Sequence, residues 1–262
     1  MSKPGTPSDS SERPPVALVT GAARRIGAAI ACDLAANGFT VALHHHASDQ
    51  EAEATAGVIR NGGGCCEIFR ADLTHDQETA SLVDTVAQRL GRIDLLVNNA
   101  SIFEHDSALD PDPVLWDRHF AVHLKAPAML ASRFVRQPGL ETGLIVNIID
   151  QRVLRLNPQF FSYTLSKSAL WTATQTMAQA FAPMVRVNAI SPGPTLPNER
   201  QSQSDFDRQV AGLPLKRGPD LADFGRTVLY LWRMPAVTGQ MIALDGGQHL
   251  AWETPDIAGI RE

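Results

Sequence analysis

The stretch VALVTGAARRIG, residues 16–27, joins a short apolar run to a turn with glycines and the start of an amphipathic segment. VALVT (16–20) has the continuous apolar character of a strand that is buried on both faces. Gly21 allows a tight turn, and Gly27 allows a helix to pack close to the strand. The free N–H groups at such a helix start favour a pyrophosphate. Because glycine pairs after strands are also common in ordinary turns, this stretch indicates a dinucleotide site without establishing one.

The same order of strand and helix repeats along the rest of the chain. Further apolar runs occur at 39–43, 65–68, 93–98, 144–149, 185–190 and 240–244. Helical segments are expected at 26–37, 49–60, 76–90, 114–136, 161–181 and 220–233. This alternation predicts a single-domain α/β Rossmann fold, a doubly wound parallel sheet of about seven strands with helices on both faces. Ligands of such sheets bind beyond the carboxyl ends of the strands.

The predicted catalytic domain covers residues 16–250. It lies between a disordered N-terminal tail, 1–15, and a C-terminal tail, 251–262. The N-terminal tail is rich in Pro and Ser and lacks the apolar centre of a signal peptide. Residues 191–219 form one long irregular stretch, and its length suits a substrate loop or lid.

The composition favours a small-molecule ligand. The chain has 262 residues, 44% of them hydrophobic and 19% charged, and a formal net charge of −5. No long basic run recommends a nucleic acid, and no apolar run approaches the roughly 20 residues that span a membrane. The three cysteines, Cys32, Cys65 and Cys66, have no metal-ligand spacing. We therefore expect reduced thiols, no metal and a cytoplasmic protein.

A second informative stretch is LIVNIIDQRVLRLNPQFFSYTLSKSAL, residues 144–170. Tyr163 and Lys167 are four residues apart and lie one turn apart on a helix. An ammonium beside a phenol lowers the pKa of the phenol, which makes a proton donor that works near neutral pH. Asp150 stands thirteen residues before Tyr163, directly after an apolar run.

Five segments in this order resemble the short-chain dehydrogenase/reductase family: TGAARRIG (20–27), ADL (71–73), NNAS (98–101), Tyr163-x-x-x-Lys167 and SPGP (191–194). Arg25 stands where the middle glycine of the family's first turn is usual. The resemblance implies contacts to a nicotinamide dinucleotide from Gly21, Arg24, Arg25, Ile26, Gly27, Asp72, Leu73, Asn99, Ala100, Lys167, Pro192 and Gly193.

The end of the second strand favours NADP(H) over NAD. HHHAS (44–48) carries no acid to hold ribose hydroxyls, and Arg24, Arg25, His46 and Ser48 offer donors to an additional phosphate. A metal site is the rival interpretation of three consecutive His. Neighbours in a strand point to opposite faces, which disfavours that interpretation.

Asp150 separates the chain from most of the family, which has a Ser at this place. A carboxylate facing a carbonyl oxygen repels the negative charge that develops there, whereas a ring nitrogen that gains a proton suits a carboxyl group. With NNASIF (98–103), LHHHAS (43–48) and DGGQHL (245–250), the sequence is similar to the pteridine reductases and the bacterial dihydromonapterin reductases.

This narrower resemblance implies reduction of a C=N bond in a dihydropterin, of the dihydromonapterin, dihydrobiopterin or dihydrofolate type. It implies substrate contacts from Arg25, Ser101, Phe103, Asp150, Tyr163 and Pro194, with Phe103 covering the flat pterin. It also implies a homotetramer built through the helices at 114–136 and 161–181 and the C-terminal region.

Several polar residues allow two interpretations. His123 replaces the family's Asn in a water relay to the Lys, so it is either a catalytic relay residue or a packing residue. Arg152 and Arg155 either meet an acidic substituent or lie in a solvated loop, and the solvated loop is favoured. His119 and His249 are interpreted as surface or packing residues.

Two other functions compete with pterin reduction. The first is a carbonyl or 3-oxoacyl reductase of the same fold, against which Asp150 and Phe103 argue. The second is a non-catalytic NADP(H)-binding sensor, against which the intact Tyr163 and Lys167 pair argues.

Overall fold

A parallel sheet of seven strands forms the centre of the protein. The computed structural model describes residues 13–197, 200–254 and 258–259. The strands are β1 (Val16–Val19), β2 (Thr40–His45), β3 (Cys65–Arg70), β4 (Ile93–Asn98), β5 (Gly143–Ile148), β6 (Val185–Pro192) and β7 (Met241–Leu244). Their spatial order is β3-β2-β1-β4-β5-β6-β7, and every pairing is parallel. The predicted fold is confirmed.

Helices cover both faces of the sheet. The α-helices are α1 (Arg25–Ala36), α2 (Asp49–Asn61), α3 (Asp76–Leu90), α4 (Pro113–Phe120), α5 (Ala126–Val135), α6 (Phe161–Phe181), α7 (Gln203–Ala211) and α8 (Leu221–Arg233). Helices α1, α2 and α8 contribute to one apolar core, and α3, α5 and α6 contribute to the other.

Strands β1 to β6 supply both cores because the side chains of a strand alternate between its two faces. In β1, Ala17 and Val19 belong to the first core, and Val16 and Leu18 belong to the second. Burial of a Leu side chain such as Leu18 stabilises the fold by about 1.5–3 kcal/mol. These unbroken apolar strands explain why the sequence pattern predicts a parallel sheet.

The connections reverse direction between β1 and β4, and this opens a crevice at the carboxyl edge of the sheet. The Thr20 amide donates to the Val97 carbonyl at 3.0 Å across this point. The turns that follow β1, β4, β5 and β6 therefore meet at one edge, where the predicted site residues lie.

The predicted helix at 114–136 is one continuous helical run, 113–135, that contains a π turn. The structure has α4, then a five-residue π-helix, Ala121–Lys125, and then α5 with Pro127 in its first turn. Proline lacks the amide N–H that continues a helical ladder, and a wider π turn accommodates this interruption.

The stretch 191–219 is not one irregular loop. It begins with the last residues of β6 and contains the nine-residue helix α7. The Ser202 hydroxyl accepts the Asp205 amide at 3.2 Å and caps this helix. The Ser-x-x-Asp spacing was a helix-start signal that the sequence interpretation missed.

The predicted terminal tails fall partly outside the described residues. Residues 1–12, 255–257 and 260–262 lie outside them. Arg13 forms an ion pair with Asp94 at 3.0 Å, and the Pro15 carbonyl accepts the Thr40 amide at 2.9 Å. Residues 13–15 thus belong to the folded domain, which corrects the boundary of the predicted tail. Within the described ranges, no helix has the length and apolar character needed to cross a membrane.

Candidate active site

Two glycines shape the turn between β1 and α1. Gly21 has a φ of +62°, and a Cβ atom there would lie 2.8 Å from the Ala100 Cα. A Cβ on Gly27 would lie 2.3 Å from the Gly21 carbonyl oxygen. The Asn99 side-chain amide donates to the Thr20 and Gly21 carbonyls, each at 2.9 Å. The turn therefore accepts no side chain at either glycine, and it keeps the open backbone cradle that a pyrophosphate requires.

The two arginines of this turn begin helix α1. Arg25 has a φ of +54°, a left-handed conformation that favours glycine. Its guanidinium donates to the Pro197 carbonyl at 3.0 Å and to the Leu196 carbonyl at 3.3 Å. Arg25 thus joins the first turn to the segment after β6. Its predicted contacts with cofactor and substrate, and the phosphate contact of the exposed Arg24, stay predictions.

The three consecutive His residues have different surroundings. His44 and His45 are buried in β2, whereas His46 is exposed and its Nε2 lies 3.5 Å from Asp72 Oδ2. The His44 ring forms hydrogen bonds with the turns after β1 and β3. The His45 ring faces Asp49 on the other side of the strand, so the two rings do not converge on one point. His46 and Asp72 line a surface cavity with Arg70, His75 and Glu78.

The remaining predicted cofactor residues surround the same edge of the sheet. Ser48 precedes α2, Leu73 is buried after β3, Ile26 lies in the first turn of α1, and Ala100 faces Gly21. Gly193 follows β6, where a Cβ atom would lie 2.5 Å from the Asp245 Cα. The structure gathers these positions along one groove.

Asp150 is the centre of a short hydrogen-bonded cluster beyond β5. The Tyr163 hydroxyl donates to Asp150 Oδ2 at 2.8 Å. The Arg152 guanidinium lies 3.2 Å from the same oxygen, and the Arg152 amide donates to Oδ1 at 2.8 Å. The favoured interpretation of Arg152 as part of a solvated loop is wrong, since its side chain is only 20% exposed.

Burial and the Asp150 carboxylate raise the pKa of Tyr163 well above its ordinary value. The sequence predicted a pKa lowered by Lys167, and this expectation is wrong. Removal of the phenol from water and the nearby negative charge both oppose phenolate, and they outweigh the Arg152 guanidinium and a hydrogen bond with Ser101, which act to lower the pKa. At neutral pH, Tyr163 is therefore a phenol that holds its proton.

Lys167 is fully buried beneath this cluster. Its Nζ donates to the Ile148 carbonyl at 2.9 Å and lies 5.9 Å from the centre of the Tyr163 ring. Burial lowers the pKa of Lys167 to about 8, and the Asp150 charge acts against this shift. Tyr163 and Lys167 share one face of α6, as their spacing predicts.

Phe103 packs against a ring that the sequence interpretation missed. It stacks on Phe160 with ring centres 4.1 Å apart and meets the edge of Tyr163 at 4.8 Å. Phe160 has a φ of +59°, and the guanidinium carbon of Arg152 lies 5.1 Å from the Phe103 ring and 5.4 Å from the Phe160 ring. Only the fold brings these rings together, since no local motif marks Phe160.

His123 joins the loop after β4 to α6. The Ile102 amide donates to Nε2 at 3.1 Å, so Nδ1 carries the hydrogen and donates to the Ser166 hydroxyl at 2.8 Å. The Ser101 hydroxyl also lies 3.0 Å from Nε2. Burial and the Lys167 charge lower the pKa of His123 well below its ordinary value. These contacts support the packing interpretation, while a relay to Lys167 stays a prediction.

Two further histidines form polar contacts near the site. His119 is fully buried, and its Nδ1 lies 2.7 Å from the Ser162 hydroxyl. His249 Nδ1 lies 2.7 Å from the buried Asp245 carboxylate. Pro194, predicted to contact substrate, is buried next to Gly193, and its carbonyl oxygen fills the space beside Gly218.

Comparison with known proteins agrees with this geometry. A family described as enoyl-(acyl carrier protein) reductase matches residues 21–249. The crystal structure of FolM alternative dihydrofolate reductase 1 from Brucella suis in complex with NADP is 61% identical, with a TM-score of 0.90, and the match covers 93% of this chain and 98% of that chain.

Ketone-reducing relatives are more distant. A 3-oxoacyl-(acyl-carrier-protein) reductase from Staphylococcus epidermidis is 30% identical over 248 residues, 89% of this chain and 98% of the relative. The promiscuous reductase LugOII, which catalyses keto-reduction in lugdunomycin biosynthesis, is 30% identical with a TM-score of 0.82, and the match covers 90% of this chain and 98% of that chain.

Proposed function

Because the chain belongs to the short-chain dehydrogenase/reductase family, we propose that this oxidoreductase uses NADPH to reduce the C=N bond of a dihydropterin. The products are the tetrahydropterin and NADP⁺, and one proton is consumed. The observation that carries the proposal is the hydrogen bond from Tyr163 to Asp150, because it pairs a proton donor with a carboxylate that can accept from the N–H groups of a pterin.

The groove has the chemistry that NADPH requires. The cradle around Gly21 and Gly27 leaves backbone N–H groups for the pyrophosphate. The end of β2 offers His46 and Ser48 to a ribose phosphate and carries no acid in 44–48. Bound NADPH supplies the hydride, and the surrounding protein supplies position and protons. The NADP in the Brucella suis relative supports this assignment.

Tyr163 is the proposed proton donor to the pterin nitrogen. Its raised pKa keeps the phenol protonated at neutral pH, and the hydroxyl is already hydrogen-bonded to Asp150. An incoming pterin N–H or amino group offers donors to the same carboxylate, so Asp150 can orient the ring while the phenol turns toward its nitrogen. A ketone offers no donor to Asp150, and its developing oxyanion is repelled.

The aromatic rings support a flat substrate. Phe103 borders the Tyr163 ring, and its contact with Phe160 extends an apolar surface beside the polar cluster. Stacking of a pterin on such a ring adds about 0.5–1.5 kcal/mol beyond the burial of its area. Ser101 precedes Phe103 on the same loop and is exposed.

A carbonyl or 3-oxoacyl reductase is the second candidate. The relatives at 30% identity support it, since one is a 3-oxoacyl reductase and another reduces a ketone. The same Tyr163 and Lys167 pair serves both reactions. Asp150 argues for the pterin, and a substrate comparison distinguishes the two candidates.

The test is a comparison of substrates with purified protein. NADPH oxidation is followed with dihydromonapterin, dihydrobiopterin, dihydrofolate and a 3-oxoacyl thioester. We expect turnover of at least one dihydropterin and little of the thioester, with the dihydropterin rate lost in Tyr163→Phe. Turnover of the thioester alone would replace the proposal with the ketone reductase, and NADPH binding without turnover would favour the sensor.

We also propose a cytoplasmic homotetramer. The free cysteines at 32, 65 and 66 suit a reducing compartment. Val114 on α4 and Leu165 on α6 are exposed, as are Leu250 and Trp252 near the C-terminal end of the domain. A second copy of the chain would cover these apolar side chains. Light scattering on the purified protein tests this, and a monomer at working concentration contradicts it.

A further inference from the structure

His44 joins two turns of the cofactor groove that are far apart in sequence. Its Nδ1 accepts the Gly21 amide at 3.1 Å, and its Nε2 lies 3.1 Å from the Ala71 carbonyl. Its backbone carbonyl accepts the Ala22 amide at 2.8 Å. From these contacts we infer that His44 is a positioning residue for the dinucleotide. It fixes the distance between the turn after β1, which is proposed to bind the pyrophosphate, and the turn after β3, which is proposed to bind the adenine.

The hydrogen bonds define the protonation state of the ring. An amide N–H can only donate, so Nδ1 must accept from Gly21, and Nε2 must carry the hydrogen that Ala71 accepts. A protonated imidazole would place a second hydrogen against the Gly21 amide. Burial lowers the pKa of His44 to about 4, so the required neutral tautomer persists throughout the physiological range.

Each turn that His44 contacts is proposed to hold a different part of the cofactor. Gly21 and Ala22 belong to the cradle for the pyrophosphate, and Ala71 directly precedes Asp72 and Leu73 at the predicted adenine site. The strands in between are neighbours, since β2 lies between β1 and β3. A change in His44 therefore alters the spacing of two binding elements at once.

The first turn, around Gly21, is also held by the loop after β4, so it would lose these contacts if it moved. On the side opposite His44, Gly21 is closely packed on Ala100, and the Thr20 hydroxyl accepts the Asn99 and Ala100 amides at 2.9 and 3.0 Å. Loss of the His44 acceptor leaves the Gly21 amide without this partner in a buried place. The turn then shifts or loosens, and the cofactor must reorder it on binding.

This inference rests on the cofactor part of the proposed function and is independent of the pterin. The experiment compares His44→Asn with His44→Gln in the full chain. An Asn amide oxygen reaches the place of Nδ1 and can still accept from Gly21, whereas a Gln amide nitrogen reaches the place of Nε2 and keeps only the Ala71 bond. His45→Asn is the matched control, because His45 is equally buried in the same strand but faces Asp49.

Two measurements are made on each variant. Calorimetry gives the Kd for NADPH, and hydrogen exchange gives the protection of the Gly21 amide in the cofactor-free protein. We expect His44→Gln to weaken NADPH binding about tenfold or more and to accelerate Gly21 exchange, because a buried donor loses its acceptor. We expect His44→Asn, which keeps the Gly21 bond and loses the Ala71 bond, to weaken NADPH binding about tenfold without accelerating Gly21 exchange, and His45→Asn to stay within about threefold of the parent chain in both measurements.

Kinetics separate positioning from general damage. At saturating NADPH the kcat of His44→Gln should approach that of the parent chain, while its KM for NADPH rises. A Kd for NADPH within about threefold of the parent chain in both His44 variants, or unchanged Gly21 exchange in His44→Gln, overturns the inference. If the parent chain binds no NADPH, the cofactor proposal fails, and the exchange data still decide whether His44 holds the turn.

Discussion

The cofactor side of the groove and the substrate side are held by different forces. The turns after β1, β2 and β3 are held mainly by hydrogen bonds to backbone groups, many of them from neutral, buried side chains such as Thr20 and His44. Around Asp150, an ion pair, a phenol and two stacked rings meet from separate segments. The first side suits a ligand common to a whole family, and the second suits one particular substrate.

This difference predicts where a substitution acts. Changes on the cofactor side should alter NADPH affinity and leave kcat similar. Changes on the substrate side should alter kcat or the choice of substrate and leave NADPH affinity similar, because Asp150 is bonded to Tyr163 and Arg152.

The largest expected effect belongs to Tyr163→Phe. This variant keeps the ring packed against Phe103 and removes the proposed proton donor. We expect kcat for a dihydropterin to fall about 10²- to 10⁴-fold, which is the usual contribution of a positioned proton donor. The Kd for NADPH should not change. Tyr230→Phe, on the exposed surface of α8, is the control, and comparable activity in both variants would assign proton supply to another group.

Arg152→Gln should have the next largest effect. It leaves the Asp150 carboxylate without its cation in a place where both side chains are largely buried, with exposures of 20% and 14%. Loss of a partner from such a pair costs about 1–3 kcal/mol, so kcat/KM should fall roughly tenfold or more. Arg155→Gln is the matched control, since Arg155 is exposed and donates to the Gln248 carbonyl. Equal kcat/KM values for the two variants would show that Arg152 does not contribute to the reaction.

The alkaline side of the pH profile reports on Lys167. Its ammonium is charged below about pH 8 and loses its proton above that value, because burial lowers the pKa. We expect kcat/KM to fall as the pH rises through 8, by up to about tenfold per pH unit. Arg does not deprotonate in proteins, so Lys167→Arg should be slower and lack this decline. If kcat/KM of Lys167→Arg still falls above pH 8, the assignment of this pH dependence to Lys167 is contradicted.

The smallest expected effect is a change in the pKa of Tyr163, which is measured by titrating its phenol. The chain has only two tyrosines, so a Tyr230→Phe background leaves Tyr163 as the one phenol observed by phenolate absorbance. Asp150→Asn keeps the shape and removes the charge, and the pKa of Tyr163 should fall because this carboxylate raises it. Burial still holds the pKa above its ordinary value. No change in the pKa would mean that burial alone controls the phenol.

Local patterns predicted the frame of the molecule. The strand at 93–98 and the helices at 76–90 and 161–181 have the predicted bounds, because apolar runs and amphipathic periods are properties of neighbouring residues. Gly21 and Gly27 stand where the structure has no room for a side chain. The spacing of Tyr163 and Lys167 likewise places both on one face of α6.

Contacts between distant segments could not be predicted from the sequence alone. The stacking of Phe160 on Phe103 and the bonds of His44 each depend on how the turns meet at the sheet edge. The raised pKa of Tyr163 has the same origin, since the burial of the phenol and its contact with Asp150 exist only in the folded protein. Helix α7 was different, because its Ser202 cap is visible in the sequence.

Asp150→Ser tests the central claim most directly. Rates with NADPH are measured for the parent chain and the variant, with a dihydropterin and a 3-oxoacyl thioester under the same conditions. We expect the dihydropterin rate to collapse in the variant while the thioester rate stays equal or rises, because a hydroxyl does not repel an oxyanion as a carboxylate does. An undiminished dihydropterin rate in Asp150→Ser would contradict the role given to the carboxylate and, with it, the assignment to pterin reduction.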